Sequence, residues 1–240
     1  MNVFYWSTVD LVLWAFITGY LDRIGAGDFY LFNVILGAVI LWNFFNRVQF
    51  GFNISFLEDV WTRNFVNVFA SPISFAEYVA GIILTSVVTA LASLLALIVC
   101  AWVFFSYNVF ILGLSFIPFI FILFLFGWSI GLFTTSLVLR YGPSAEAFAW
   151  SIPYFFTPLS SVFYPLSALP VWVQPFAKAI PSSYVFEGMR SLLLKGEFDM
   201  QTLLIGGILA IIYFSATYIF IFYVYRIVLQ KGLFTRFSTD

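Results

Sequence analysis

The sequence predicts an all-α integral membrane protein with six transmembrane helices, an amphipathic helix on the cytoplasmic side and a re-entrant helical segment on the outer side. Three observations carry this expectation. The 240 residues are 63% hydrophobic and 9% charged, whereas a soluble domain carries about 25% charged residues. No charged side chain occurs between Glu77 and Arg140, a run long enough for two crossings of roughly 20 residues each. The apolar runs are continuous rather than alternating, which selects helices over a barrel.

Composition also removes several functions. A net charge of −1 leaves no basic footprint for nucleic acid. The chain has no histidine, so histidine proton relays, zinc–histidine sites and histidine haem ligation are excluded within it. Cys100 is the single cysteine, inside an apolar run, which rules out an intrachain disulfide and argues against a metal cluster. No metal site and no catalytic residue are expected, and one membrane domain over residues 1–240 is the economical reading.

The elements follow in order. Span one covers about residues 3–21; it lacks the basic start of a signal peptide, and Asp10 interrupts its apolar run. A carboxylate at the centre of a span costs about 2.5–3.5 kcal/mol, so Asp10 lies either there at that cost or near the interface. A polar loop, Asp22 to Asp28, follows, where Gly25 and Gly27 suit a tight turn. Span two covers about 29–50 and carries Asn43 and Asn46. Spans three and four, about 75–104 and 109–139, divide at Ser106-Tyr107-Asn108. Span five covers about 145–164 and span six about 203–226. An even number of spans puts both termini on one side. Arg47, Arg63, Arg140, Arg226, Lys231 and Arg236 fall on that side, against Arg23, Lys178, Arg190 and Lys195 on the other, which favours cytoplasmic termini.

Two segments do not read as spans. In residues 57–69, Leu57, Val60, Trp61, Phe65, Val68 and Phe69 recur at intervals of three and four, with Glu58, Asp59, Thr62, Arg63 and Asn67 largely between them. This is an amphipathic cytoplasmic helix, which either rests on lipid headgroups or docks a cytoplasmic partner. Ser74-Phe75-Ala76-Glu77 then reads as a capping box that opens span three. The second segment, about 165–195, places Pro165, Pro170, Pro175 and Pro181 five or six residues apart. Regular helix through these prolines is disfavoured, so short helical pieces are expected, the last capped by Ser182 or Ser183. It carries Glu187 and Arg190, three apart on one face and able to pair. The segment is either an external cap or a re-entrant element, since irregular backbone at membrane depth must be buried in protein.

Ser151, Tyr154, Thr157 and Ser161 recur every three or four residues in span five, between the bends of Pro153 and Pro158. Such a stripe faces other helices or a water-filled route; Asn43 and Asn46 give a similar signal in span two.

The stretch "TPLSSVFYPLSALPVWVQPFAKAIPSSYVFEGMRSLLL" at 157–194, with "NVFASPISFAEYVAG" at 67–81, resembles the membrane permease subunits of ATP-binding-cassette exporters, type-two branch. The pattern is a span end, a proline, Leu-Pro-x-Trp, an apolar turn, a further proline, a tyrosine and Glu-x-x-Arg. Pro165, Leu169, Pro170, Trp172, Pro181, Tyr184, Glu187 and Arg190 occupy those places. The resemblance implies a dimer of permeases, homodimeric or heterodimeric, in a bacterial plasma (inner) membrane, exporting an amphiphile such as a drug, lipid or lipid-linked glycan. It implies a separate cytoplasmic ATPase that holds ATP and Mg²⁺; this chain has no G-x-x-x-x-G-K-[ST] phosphate loop. It further implies that Leu57, Glu58, Trp61, Arg63, Asn64 and Phe65 belong to a coupling helix entering that ATPase. Residues 165–195 would then be the external gate, with spans two and five lining the pathway. Members of the family usually carry an amphipathic helix before span one. Here residues 1–8 form a short one or it is missing. The competing readings are a secondary transporter, for which Asp10 is the one candidate ion-coupling group, a membrane-embedded enzyme, which lacks an obvious catalytic group, and a non-transporting scaffold.

Overall fold

Inside hydrocarbon a chain must satisfy its own amide groups, and continuous apolar sequence does so as helix. In a computed structural model describing residues 2–23, 29–64, 67–68, 71–196 and 198–232, the described residues form eight α-helices and no strand. They are α1 (Asn2–Arg23), α2 (Phe29–Trp61), α3 (Phe75–Phe105), α4 (Phe116–Tyr141), α5 (Glu146–Leu159), α6 (Gln174–Lys178), α7 (Pro181–Lys195) and α8 (Met200–Gln230). A 3₁₀ segment, Val109–Ser115, leads into α4. The turn expected at Gly25 and Gly27, the coupling position Phe65 and the charge of Arg236 lie outside the described residues.

Four of the described helical stretches are long and apolar enough to cross a membrane: Phe32–Trp61, Phe75–Phe105, Val109–Tyr141 and Met200–Gln230. Three of them present exposed apolar faces, as at Leu84, Leu95 and Trp102 of α3, Ile117 and Phe121 of α4 and Ile208 and Ile219 of α8, while α2 is mostly buried among its neighbours. An apolar surface of that extent suits lipid rather than water. The expected span over 145–164 is shorter than its sequence suggested. α5 has 14 residues, about 21 Å at 1.5 Å per residue, against a hydrocarbon core of about 30 Å. Pro153 and Pro158 each remove a helical hydrogen bond, and the helix stops at Leu159, before Ser161 turns left-handed at φ 53°.

The expected gap between span two and the amphipathic helix is also absent. α2 runs unbroken for 33 residues, because Phe52, Phe56 and Val60 keep burying one face against Phe75, Val79 and Leu139. Residues 57–61 are therefore the last turn of α2 rather than part of a separate helix. The helix ends where Arg63 adopts φ 56°. α3 opens on the Ser74 box: the Ser74 hydroxyl accepts from the Glu77 amide and the Glu77 carboxylate from the Ser74 amide at 2.8 Å. It closes at Ser106, and Asn108 then caps the 3₁₀ segment by accepting from the Phe110 amide at 3.0 Å.

α4 lies at the centre, packed against α2 and α8. Its closest approach to α2 is made by Gly127 and Gly131, four apart in "GWSIG". A Cβ on Gly131 would come within 2.9 Å of the Phe52 ring, and one on Gly127 within 2.8 Å of Val48. Helices in lipid associate by such close packing of small residues. Ser86 of α3 adds a buried bond to the Val48 carbonyl at 2.9 Å and accepts from the Trp128 indole at 3.2 Å, joining three helices. At one end of the bundle Phe75 stacks on Tyr225 with ring centres 3.9 Å apart. At the other Trp14 stacks on Phe163 at 4.1 Å, next to α7.

Candidate functional site

A cavity of about 690 Å³ opens between α1, α2 and α5. Helical spacing builds its walls. Asn43, the adjacent Asn46 and Arg47, then Phe50 and Ile54 recur one helical turn apart and form one face of α2. α1 contributes Ser7, Asp10 and Trp14 at the same kind of spacing. Trp150 and Tyr154 of α5, with Trp42 and Phe163, complete an aromatic lining.

Asp10, undecided from sequence, is tied to α2. The Asn43 carboxamide donates to its carboxylate at 2.7 Å and to the Val39 carbonyl at 3.0 Å. Arg47, counted above on the side of the termini near the end of span two, sits within α2 and lines the cavity; its Nε is buried and lacks a hydrogen-bond partner among the described residues. Of the polar residues expected along spans two and five, Asn43, Asn46 and Tyr154 meet at this cavity. Ser151 is exposed and donates back to the Ala147 carbonyl at 2.7 Å, Thr157 is half-buried, and neither lines it. Ser161 lies beyond the end of α5, so it does not share a helical face with the other three.

Ser161 belongs to a second constellation, at α7. Pro181 takes the first position of α7, where its missing amide costs nothing. Arg190, buried, donates to the Glu187 carboxylate at 2.7 Å, to the Val162 carbonyl at 3.3 Å and to the Ser161 carbonyl. Glu187 in turn accepts from the Leu166 amide at 2.7 Å. The expected Glu187–Arg190 pair is thus present, and it clasps the chain leaving α5. Alongside it the Ser160 and Ser182 hydroxyls meet at 2.7 Å. Tyr184 donates to the Lys178 carbonyl at 2.7 Å, and Gln174 to the Leu169 carbonyl at 3.0 Å. Pro165, Pro170 and Trp172 are exposed, Trp172 by 74%, so the tip before α6 presents apolar surface. A smaller cavity of about 350 Å³ lies between Pro165, Glu187, Lys195 and Asp199. The Thr202 hydroxyl, and then its amide, hold the Asp199 carboxyl below its usual range.

At the opposite end of the bundle, the Trp61 indole donates to the Glu146 carboxylate at 3.0 Å, and the Trp150 indole donates to the same group at 3.2 Å. Asp59 accepts from Tyr78 at 2.8 Å and from Asn64 at 3.1 Å. Leu57 is buried, whereas Glu58, Trp61 and Arg63 are exposed. The corner therefore presents a hydrogen-bonded surface of mixed polarity.

Sequence reasoning missed what holds α5 in place. Pro153 has no amide to offer the Ala149 carbonyl four residues before it. That buried carbonyl accepts instead from the Asn53 carboxamide at 3.1 Å and the Gln49 carboxamide at 3.4 Å. The Asn53 oxygen accepts from Thr134 at 2.9 Å and Thr135 at 3.4 Å. Gln49 and Asn53 are one helical turn apart on α2, a spacing that pointed to a shared partner. Residues 1–194 match the family model described as ABC-2 type transporter. No curated protein matches the chain.

Proposed function

As this chain belongs to the ABC-2 type transporter family, whose permeases are the membrane component, we propose that it is one of two permeases forming an export pathway driven by separate ATP-hydrolysing subunits. The family match over residues 1–194 carries the reading. In this reading α1 and α5 join the four long helices to give six crossings of one domain, in a bacterial inner membrane with both termini cytoplasmic. ATP and Mg²⁺ bind the partner. Its surface receives the end of α2, with Glu58, Trp61, Arg63 and Asn64 as the coupling corner; the bond of Trp61 to Glu146 supports this role, because it lets a push on the corner reach α5, while Asn64 bonds to Asp59 within the corner itself. Leu57, buried beneath, braces the corner. Residues 165–195 are the re-entrant outer gate, and the cavity of Asn43, Asn46 and Tyr154 is part of the route of an amphiphilic cargo.

The mechanism is a population shift. Closure of two ATPases around ATP favours one arrangement of the permeases, and a ligand moves that balance only as far as its differential affinity for the two states. The test is co-purification of an ATP-binding-cassette ATPase with tagged permease. Trp61→Asp should lose the ATPase and still insert in the membrane, while Trp61→Phe, which loses only the indole bond, should retain it. Equal recovery with Trp61→Asp would remove the coupling assignment.

A further inference from the structure

We infer that the cavity between α1, α2 and α5 is a headgroup site for an amphiphile bearing an anionic group, a phosphate or a carboxylate, and that Arg47 engages that group. The inference rests on the permease reading and names the chemical class of its cargo. Arg47 is the observation that carries it. An ionisable side chain within a span normally pairs, or meets backbone carbonyls, or serves a function. Among the described residues the one ion pair is Glu187–Arg190, and Arg47 has a buried Nε without a partner. Asp10 lines the same cavity yet receives the Asn43 carboxamide rather than Arg47.

The alternative for such a residue is to snorkel along lipid toward the interface. Arg47 instead lines the cavity together with Asn43, one turn before it, and Phe50, nearly one turn after. The guanidinium is a planar fork of donors that matches a carboxylate or phosphate in two parallel bonds. Trp14, Trp42 and Trp150 supply the apolar side of an amphiphilic site. The volume of about 690 Å³ falls within the usual range of ligand pockets, about 300–1,000 Å³, and suits a headgroup with the start of its chain.

The test uses purified permease, with its ATPase, in dodecyl maltoside, whose headgroup is neutral. Three probes share one chain: ω-bromododecyl phosphate, ω-bromododecanoate and ω-bromododecanol. Bromine quenching of tryptophan fluorescence reports occupancy. An anionic probe should reach half-quenching at a concentration about tenfold or more below the alcohol, the scale of one charge-assisted contact. Arg47→Gln should bring that ratio to within about twofold, and Arg47→Lys, which keeps the charge but not the planar fork, should retain only part of the preference. The tighter of the two anions identifies phosphate or carboxylate as the group carried. Equal quenching by all three probes in the wild type overturns the site without reference to any variant, and so does a preference that survives in Arg47→Gln. ATPase recovery is read on the same samples. Absent selectivity with the ATPase retained defeats the headgroup site alone, whereas selectivity without any ATPase defeats the driven-permease reading and leaves the site standing.

Discussion

At the scale of single residues, Arg190 does the most for the end of the bundle that carries α7. It is 7% exposed and holds two main-chain carbonyls as well as Glu187, whose side chain is about one-third exposed (34%). An ion pair with one partner open to solvent contributes little by itself. The buried carbonyl bonds therefore carry more of the effect, and they stabilise the left-handed Ser161, a conformation that costs a non-glycine residue about 1–3 kcal/mol. Arg190→Ala should lower stability by about 2–3 kcal/mol, read as the denaturation midpoint of solubilised permease. Glu187→Gln should cost about 1 kcal/mol or less, because a carboxamide oxygen still accepts from the Leu166 amide. Equal midpoints for Arg190→Ala and wild type would contradict this account.

At the scale of elements, the α2–α4 contact depends on the absence of side chains at Gly127 and Gly131. Gly131→Leu would drive a branched side chain into the Phe52 ring, and overpacking of this kind costs about 1–3 kcal/mol or more. Gly207→Leu on α8 meets open space around its Cβ and should be tolerated. The comparison is made by the yield of monodisperse protein; similar losses in both variants would mean that the glycine contact is not what holds the pair. α5 is joined differently, through polar bonds. Its Ala149 carbonyl, released by Pro153, is received by Gln49 and Asn53. Interhelical hydrogen bonds in membranes average about 0.6 kcal/mol each, so α5 is held firmly enough to be placed and weakly enough to move.

At the scale of the whole molecule, the cavity lies between α2, buried along most of its length, and α5, held by those few bonds and by lighter packing such as Phe156 against Phe126. If the partner's ATP cycle shifts α5, access to Tyr154 changes with it. In a Cys100→Ser background, maleimide labelling of Tyr154→Cys should differ severalfold between nucleotide-free and ATP–vanadate states of the permease–ATPase complex. Equal rates would place the moving part elsewhere. The contrast between α2 and α5 also explains what was legible in the sequence. The long helices were visible because lipid imposes a simple composition: no charge from residue 78 to 139 and none within Leu203–Tyr225. The Ser74–Glu77 box and the Glu187–Arg190 pair were visible because both are local, at three-residue spacing. The run of α2 through Gly51 and Asn53 was not, since Gly51 is packed against Thr89 and Ser86 of α3 and Asn53 bonds to α5. The part Arg47 plays in a cavity was not legible for a related reason. Its cavity exists only once three helices, remote in sequence, have met.

The clasp at α7 also has a meaning for synthesis. The carbonyls of Ser161 and Val162 are made 29 and 28 residues before the arginine that holds them. Until Arg190 has emerged, α5 has nothing from α7 to fix its C-terminal end. A nascent chain interrupted between those points has α5 tied to α2 through Gln49, Asn53 and Trp61, while the carbonyls at its end still lack the arginine that joins them to α7.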